Sequence, residues 1–316
     1  MIKMQDLRKD FTVRVKAGRL RRAKRTVAAV DGVSLTIEQG EMVGYIGPNG
    51  AGKSTTLKML TGVLSPTSGE VSVFGLTPVP QRTRLALRIG VVFGQRSQLW
   101  WDLPLRESFR LLRHIYRVPP ADHESRLRRC RDLLDLDEFL DTPVRQLSLG
   151  QRMRGELTAA LLHGPGVLFL DEPTIGLDVV SKQAVRSFLA ELGASGDVTL
   201  VLTTHDLADI ERLCGRLVVI DHGRVVHDGT IEALHARYGS RRSLVVDLDA
   251  PLPAGFELPG TTLTGVGADG HRVTFALDSA SAGAAVAGLV AAASVRDLSV
   301  VEPDIEDVVA RLYASA

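Results

Sequence analysis

Five short apolar runs punctuate the first 235 residues: "EMVGYIG", "IGVVF", "VLFLD", "VTLVLTT" and "RLVVID". Runs of this length without strict alternation are the mark of strands buried on both faces, and strands separated by helical patterns predict a largely parallel sheet. Between Leu105 and His163 the period turns helical, as in "LRESFRLLRHIY" and "HESRLRRCRDLLDLDEFL", which predicts a helical insertion over about 97–165. After "ARYGSRRS" (236–243) the texture changes. "LVVDL" and "RVTFALD" read as strands, the Ala-rich run over 283–293 as a packed helix, and "VRDLSVV" and "DIEDVVARLY" as a closing strand and helix. The expected organisation is an α/β domain over 1–237 and a small α+β domain over 241–316, joined by a short basic linker.

Composition excludes more than it proposes. Lys and Arg total 38 against 37 Asp and Glu, so no bulk attraction to nucleic acid or membrane is expected. One local exception is "RVKAGRLRRAKR" (14–25), which has no acidic residue and reads as a hairpin tip inserted before the strand "VDGVSLTI". Cys130 and Cys214 lack metal-ligand spacing and fit buried thiols in a reducing compartment. His163, His222, His227 and His235 show no ligand spacing either and are expected at the surface or in turns. No stretch approaches the roughly 18 apolar residues of a membrane span, and the N-terminus has no apolar signal core, so a soluble chain is expected.

Three segments carry chemistry. "GPNGAGKST", Gly47–Thr55, follows an apolar strand and opens a helix near Lys53, the setting in which a glycine-rich loop curls its N–H groups around phosphate oxygens. Lys53 would reach the β and γ phosphates, Ser54 would offer a hydroxyl to Mg²⁺, and Thr55 would add a phosphate contact. "VLFLDEPTIGLD" ends an apolar strand in two carboxylates, which a buried strand does not need. Asp171 fits a Mg²⁺ partner and Glu172 a base for the attacking water. In "RQLSLGQRMRGELT" Ser148 can cap a helix whose first N–H groups make a second seat for an anion.

Taken in this order and spacing, "GPNGAGKST", "LSLGQ" and "FLDEPTIGLD" resemble the nucleotide-binding subunit of an ATP-binding cassette (ABC) transporter, over roughly residues 1–235. The resemblance implies a phosphate-loop NTPase fold of ABC type with a helical subdomain, and ATP and Mg²⁺ as its nucleotide and metal. It also implies that two cassettes pair head to tail, each closing its signature segment on the other's γ-phosphate. Gly47, Asn49, Gly50, Gly52, Lys53, Ser54 and Thr55 would then hold ATP from one side, Ser148, Gly150 and Gln151 would serve the opposite site, and Asp178 would lie in the nucleotide-binding loop that communicates across the two sites. Glu172, His205, Lys53 and Gln95 fill the catalytic positions, while Ser54, Gln95 and Asp171 fill those around the metal.

Two departures from the family pattern stand out. Leu149 replaces the first glycine of the usual Leu-Ser-Gly-Gly-Gln signature and is expected to point away from the phosphate. Phe11 is the nearby candidate for the aromatic platform under adenine. The basic stretch 14–25 would be a solvated loop or a contact with anionic lipid headgroups or a permease surface. Trp100 and Trp101 stand where the family docks its permease, and at least one is expected to be exposed. The C-terminal segment resembles, more weakly, the tails of bacterial drug-resistance exporters of the ABC-2 type. The resemblance implies an ATPase on the cytoplasmic face of a membrane, coupled to a separate permease and paired with a second cassette, exporting a drug-like molecule and binding no nucleic acid. An importer subunit, a lipid or polysaccharide exporter subunit, or an ATPase acting on ribosomes or DNA are the alternatives.

Overall fold

The first strands of the chain pair with each other before the central sheet begins. In this computed structural model the described residues are 1–16, 22–94, 97–238, 242–253, 255–277, 281–301 and 305–315, excepting the side chains of 14–16, 22, 23 and 315. Strands β1 (Ile2–Lys16) and β2 (Arg22–Ile37) form an antiparallel ladder from Ile2↔Ile37 out to Lys16↔Arg22. Next come β3 (Met42–Ile46), α1 (Lys53–Leu60) and β4 (Ser68–Val73), which pairs with β1 over Ile2–Arg8 only. Beyond that point β1 and β2 continue as a two-stranded ribbon. Residues 14–16 and 22–25 are rungs of this ribbon rather than a loop, because Val13, Val15, Thr26 and Val27 supply the β-branched residues that favour extension. Residues 17–21 of the basic stretch lie outside the described part.

The nucleotide-side sheet is assembled from strands far apart in sequence. After α2 (Arg82–Ala86) come β5 (Ile89–Phe93), the helices α3 (Leu105–Ile115), α4 (Pro120–Leu134) and α5 (Leu149–Leu161), then β6 (Val167–Asp171), α6 (Val179–Ser195), β7 (Thr199–Thr203), α7 (Leu207–Leu213), β8 (Arg216–Asp221) and β9 (Arg224–Gly229). The sheet order is β5-β6-β7-β3-β8-β9, parallel except for the antiparallel edge β9. β6 and β7 are buried almost throughout, which is why their sequences run apolar without alternation. Because β3, β5, β6 and β7 point the same way, the segments after them emerge at one edge of the sheet, the place where open α/β sheets hold ligands. A single core joins both sheets to α1, with Leu7, Val33, Tyr45, Leu57, Phe169, Val201 and Val218 among its members.

The chain divides into two compact units, Met1–Ile231 and Glu232–Ala316. Helix α8 (Ile231–Tyr238) begins at the join, whereas the sequence placed the end of the first domain at residue 237. In the second unit β10 (Ser243–Leu248), β11 (Thr261–Val266), β12 (Arg272–Leu277), α9 (Ala282–Ala292), β13 (Val295–Val301) and α10 (Ile305–Ser315) follow. Its antiparallel sheet has the order β11-β12-β10-β13, and Leu244, Val246, Val273 and Phe275 share a core with Ala285 and Leu289 of α9. β11, "TTLTGV", was not expected from sequence, since its threonines and glycine carry no apolar face long enough to announce it.

Three smaller expectations meet the structure. Cys130 and Cys214 are free and buried, and burial pushes their thiols up to about 11 and about 12. His163 stands in the turn after α5, half-buried, where it stacks on the Tyr116 ring at 4.1 Å with its Nε2 2.9 Å from the Ile89 carbonyl, whereas His227 is neither at the surface nor in a turn but buried on β9. The stacked His163 ring packs as an aromatic surface despite its polar atoms. Among the described residues no helix is long and apolar enough to cross a membrane.

Candidate functional site

The loop after β3 is shaped by close approaches of backbone. Gly52 stands at the head of α1 with φ 107°, and a Cβ there would run into the carbonyl oxygen of Ala29, so glycine alone fits. No side chain caps α1, which leaves its first-turn N–H groups available to an anion. Asn49 and Gly50 are exposed at the crest of the loop, and Ser54 and Thr55 are half-buried in the first turn of α1. Lys53 is buried, and its Nζ donates to the carbonyls of Gly47 at 2.6 Å and Pro48 at 3.1 Å. Burial lowers the pKa of this ammonium, opposed by the charges of Glu172 and Asp171.

The two carboxylates at the end of β6 are held differently. Asp171 accepts a hydrogen bond from Thr203 Oγ1 at 2.7 Å on the same oxygen that Ser54 Oγ approaches at 3.4 Å. Glu172 has φ 57°, a left-handed backbone that a non-glycine residue adopts at a cost of order 1 kcal/mol or more. Its N–H donates to the Thr203 carbonyl at 2.9 Å, which fixes the turn. The side chain thereby meets His205, whose Nε2 lies 2.6 Å from Glu172 Oε1. Sequence reasoning missed both Thr203 and the strained backbone, though the adjacent threonines of "VLTTH" were the available hint. Gln95 lies outside the described residues, next to Gly94, whose N–H donates to the Asp171 carbonyl at 3.0 Å.

A second cluster forms around α5 and α6. Ser148 and Gln151 cap each other: Gln151 N–H donates to Ser148 Oγ at 3.2 Å and Ser148 N–H to Gln151 Oε1 at 2.9 Å. Leu149 is the first residue of the helix and has no positive φ, so its backbone suits leucine as well as glycine. It turns toward the loop before α6, where a Cβ on Gly176 would lie 3.2 Å from its Cδ2. Gly150 lets the two helices touch, because a Cβ there would come 2.5 Å from Ser181 Cβ. Asp178 caps α6 by accepting from Ser181 N–H at 2.9 Å and Ser181 Oγ at 2.7 Å, bonds that hold its carboxyl below the usual range. No hydrogen bond joins Ser148 or Gln151 to the described loop Gly47–Thr55 of the same chain.

Apolar side chains stand open around this second cluster. Ile175, Val179 and Val180 are exposed, the last two at 84% and 79%. Trp100 and Trp101 are both exposed, and Arg152 lies over the Trp101 ring at 5.8 Å. Phe93, Trp101, Leu149, Arg152 and Met153 line one groove. Phe11 sits on the ribbon opposite Val27, exposed, with Lys9 Nζ 5.4 Å from its ring centroid.

Comparison with known proteins identifies the fold and the family. Residues 30–175 match the family model described as ABC transporter. The chain is 33% identical over 220 residues to the ABC transporter ATP-binding protein NatA of Bacillus subtilis (strain 168), covering 70% of this chain and 88% of that protein. It is 36% identical over 243 residues to the Nod factor export ATP-binding protein I of Ralstonia nicotianae, covering 74% and 75%. A solved dimeric ATP-binding cassette in a post-hydrolysis state, bound to ADP and Pi, superposes with a TM-score of 0.61 at 28% identity, covering 73% of this chain and 99% of that one. A second, the ATP-binding subunit of an ABC transporter, gives a TM-score of 0.63 at 27% identity, covering 75% and 93%. With a third of the aligned residues shared with a protein that it covers to 88%, and with the same fold as solved cassettes, the chain belongs to the ATP-binding, ATP-hydrolysing subunits of the ABC transporters.

Proposed function

We propose that this chain drives export through a separate permease at the cytoplasmic face of a membrane, working as one of two head-to-tail cassettes. The observation that carries the pairing is the division of the site: Ser54 meets Asp171, Glu172 meets His205 and Lys53 folds into the same loop, while among the described residues no hydrogen bond joins the capped serine of α5 to that loop. A second cassette supplies what each half lacks. ATP then bridges the two chains, because it contacts both only in the closed pair.

Within one site the roles follow from placement. Gly47, Asn49, Gly50, Gly52 and Thr55 surround the phosphates, and Lys53 exchanges its bonds to the Gly47 and Pro48 carbonyls for phosphate oxygens. Glu172 takes the proton of the attacking water, and His205 holds Glu172 in place and contacts the γ-phosphate. Ser54 Oγ and Asp171 Oδ1, 3.4 Å apart, are hard oxygen donors at a spacing that suits neighbouring positions around Mg²⁺, with Gln95 nearby in sequence. When bound, Mg²⁺ would neutralise charge on the phosphate oxygens. Phe11 supplies a face for adenine. Ser148, Gly150 and Gln151 act on the partner's ATP, and the loop of Asp178 communicates between the two sites.

The export direction rests on the similarity to the Nod factor export proteins, and a drug-like cargo on the weaker resemblance of the C-terminal unit to exporter tails, which would steady the cassette pair. Trp100, Trp101 and the groove beside Leu149 are the surface offered to the permease. No role for nucleic acid is proposed. The deciding experiment is ATP-dependent pairing: Glu172→Gln with ATP should give a stable pair by light scattering, and adding Ser148→Arg should abolish it. Pairing that survives Ser148→Arg would sink the head-to-tail reading. Affinity purification of the tagged chain from detergent-solubilised membranes should recover an integral-membrane protein in fixed proportion.

A further inference from the structure

Helix α5 carries a buried carboxylate that its own packing does not need. Glu156 lies two turns beyond Ser148 and is 5% exposed. Both carboxylate oxygens are used by one short segment: Ser97 Oγ donates to Oε1, and Gln98 N–H donates to Oε2 at 3.2 Å. Gln98 Nε2 also donates to the Glu156 backbone carbonyl at 3.3 Å. Burial raises the Glu156 carboxyl pKa, opposed by the bonds from Ser97 and Gln98 and by the charge of Arg152 one turn earlier. Burying such a group costs stability that an apolar side chain would not, so stability alone gives no reason for glutamate here.

The neighbouring residue points to the same segment. Gly155 is in the middle of a helix, where glycine costs about 1 kcal/mol relative to alanine. A Cβ there would come 2.8 Å from Leu105 Cδ1 and 3.2 Å from Leu99 Cδ1, so the bare backbone lets residues 97–105 lie directly on α5. A glycine that weakens the helix and a carboxylate that is costly to bury therefore serve one contact. Upstream of that segment, Gly94 is bonded to the Asp171 carbonyl, and downstream Trp100 and Trp101 are exposed.

We propose that Glu156 is a positioning residue that joins Ser97 and Gln98 to the Ser148 end of α5 as one body, so that Ser148 meets the partner cassette's ATP in the right register. The inference rests on the head-to-tail reading and adds to it a residue that touches no nucleotide. A load on Trp100 and Trp101 is then transmitted to Ser148 through a buried hydrogen-bonded joint rather than through a mobile loop. Because Ser148 serves the opposite site, loss of Glu156 harms hydrolysis in trans.

The test uses mixed pairs of full-length chains carrying different tags. In the first pair one chain bears Glu156→Ala and the other Glu172→Gln, so the intact Glu172 faces an unaltered signature helix. In the second, one chain bears both substitutions and the other none, so the intact Glu172 faces the altered helix. The second pair should hydrolyse ATP about tenfold more slowly than the first, with KM for ATP within about twofold in both, since a misplaced group costs turnover rather than binding in its own loop. Equal rates overturn the proposal. The same two pairs built with Ser148→Arg in place of Glu156→Ala test the pairing itself: equal rates there overturn both readings, whereas unequal rates there with equal rates for Glu156→Ala overturn only the role of Glu156. If Glu156→Ala does not fold, Ser97→Ala removes a donor from the other side and should show the same asymmetry at about threefold; symmetry in that variant counts against the proposal.

Discussion

His205 Nε2 lies 2.6 Å from Glu172 Oε1, and this contact depends on a backbone turn that glutamate adopts only under strain. The structure spends conformational energy to aim one carboxylate at one imidazole, as functional sites do. Glu172→Gln keeps an oxygen for His205 but removes the base. Its phosphate-release rate should fall by about a hundredfold or more, while ATP affinity, measured by titration, stays near that of the unaltered chain. His205→Ala should slow turnover comparably by freeing Glu172, and it should also weaken ATP-dependent pairing.

Gly150 and Ser181 make a prediction about packing rather than chemistry. Gly150→Ala places a Cβ 2.5 Å from Ser181 Cβ, so the crossing of α5 and α6 must widen. Destabilisation of about 1–3 kcal/mol is expected by denaturant unfolding. Adding Ser181→Gly should recover part of that loss, and a double-mutant cycle with no coupling would contradict the contact.

The exposed valines after Asp178 predict a partner surface. Val180→Asp puts a charge where 79% of the side chain is open, so it should leave the melting of the single chain unchanged. In the Glu172→Gln background it should weaken ATP-dependent association by about tenfold, equivalent to roughly 1.4 kcal/mol. Sedimentation at graded ATP concentrations reads this directly.

His163 predicts an acid sensitivity. Burial depresses its pKa from 6.5 to about 4, opposed by the bond to the Ile89 carbonyl. Between those values the unfolded chain binds a proton that the folded chain refuses, so this contribution to stability is complete above pH 6.5 and is lost as pH falls toward about 4. The loss is on the order of 3 kcal/mol at most, because the ring is not wholly removed from water. His163→Gln should flatten the stability profile over that interval, as followed by urea unfolding at successive pH values.

What could be read from sequence follows the physics of burial. β3, β6 and β7 are covered on both faces, so their apolar runs were plain, and the residues at their ends could be named before any coordinates. The ribbon of β1 and β2 was hidden because its outer rungs are rich in Lys and Arg, so no apolar alternation marked them. The left-handed Glu172 was invisible for a different reason: glutamate gives no local hint of positive φ, and only the bond to Thr203 across the sheet imposes it. Gly150 was legible as part of a motif, but its contact with Ser181 required the crossing of two helices separated by a strand. Glu156 looked like one more charged residue on an amphipathic helix.

The reciprocal cap between Ser148 and Gln151 has a consequence for how the cycle ends. If two cassettes pair head to tail as proposed, their separation would not leave the serine and glutamine as stripped hydrogen-bonding groups searching for water, since each already satisfies the other at home. Separation of such a pair would then carry little hydrogen-bonding penalty at Ser148 and Gln151, and the apolar contacts of Val179 and Val180 would be the larger part to undo. A motor that must reset on every turn is served by a grip that is whole when it is not holding anything.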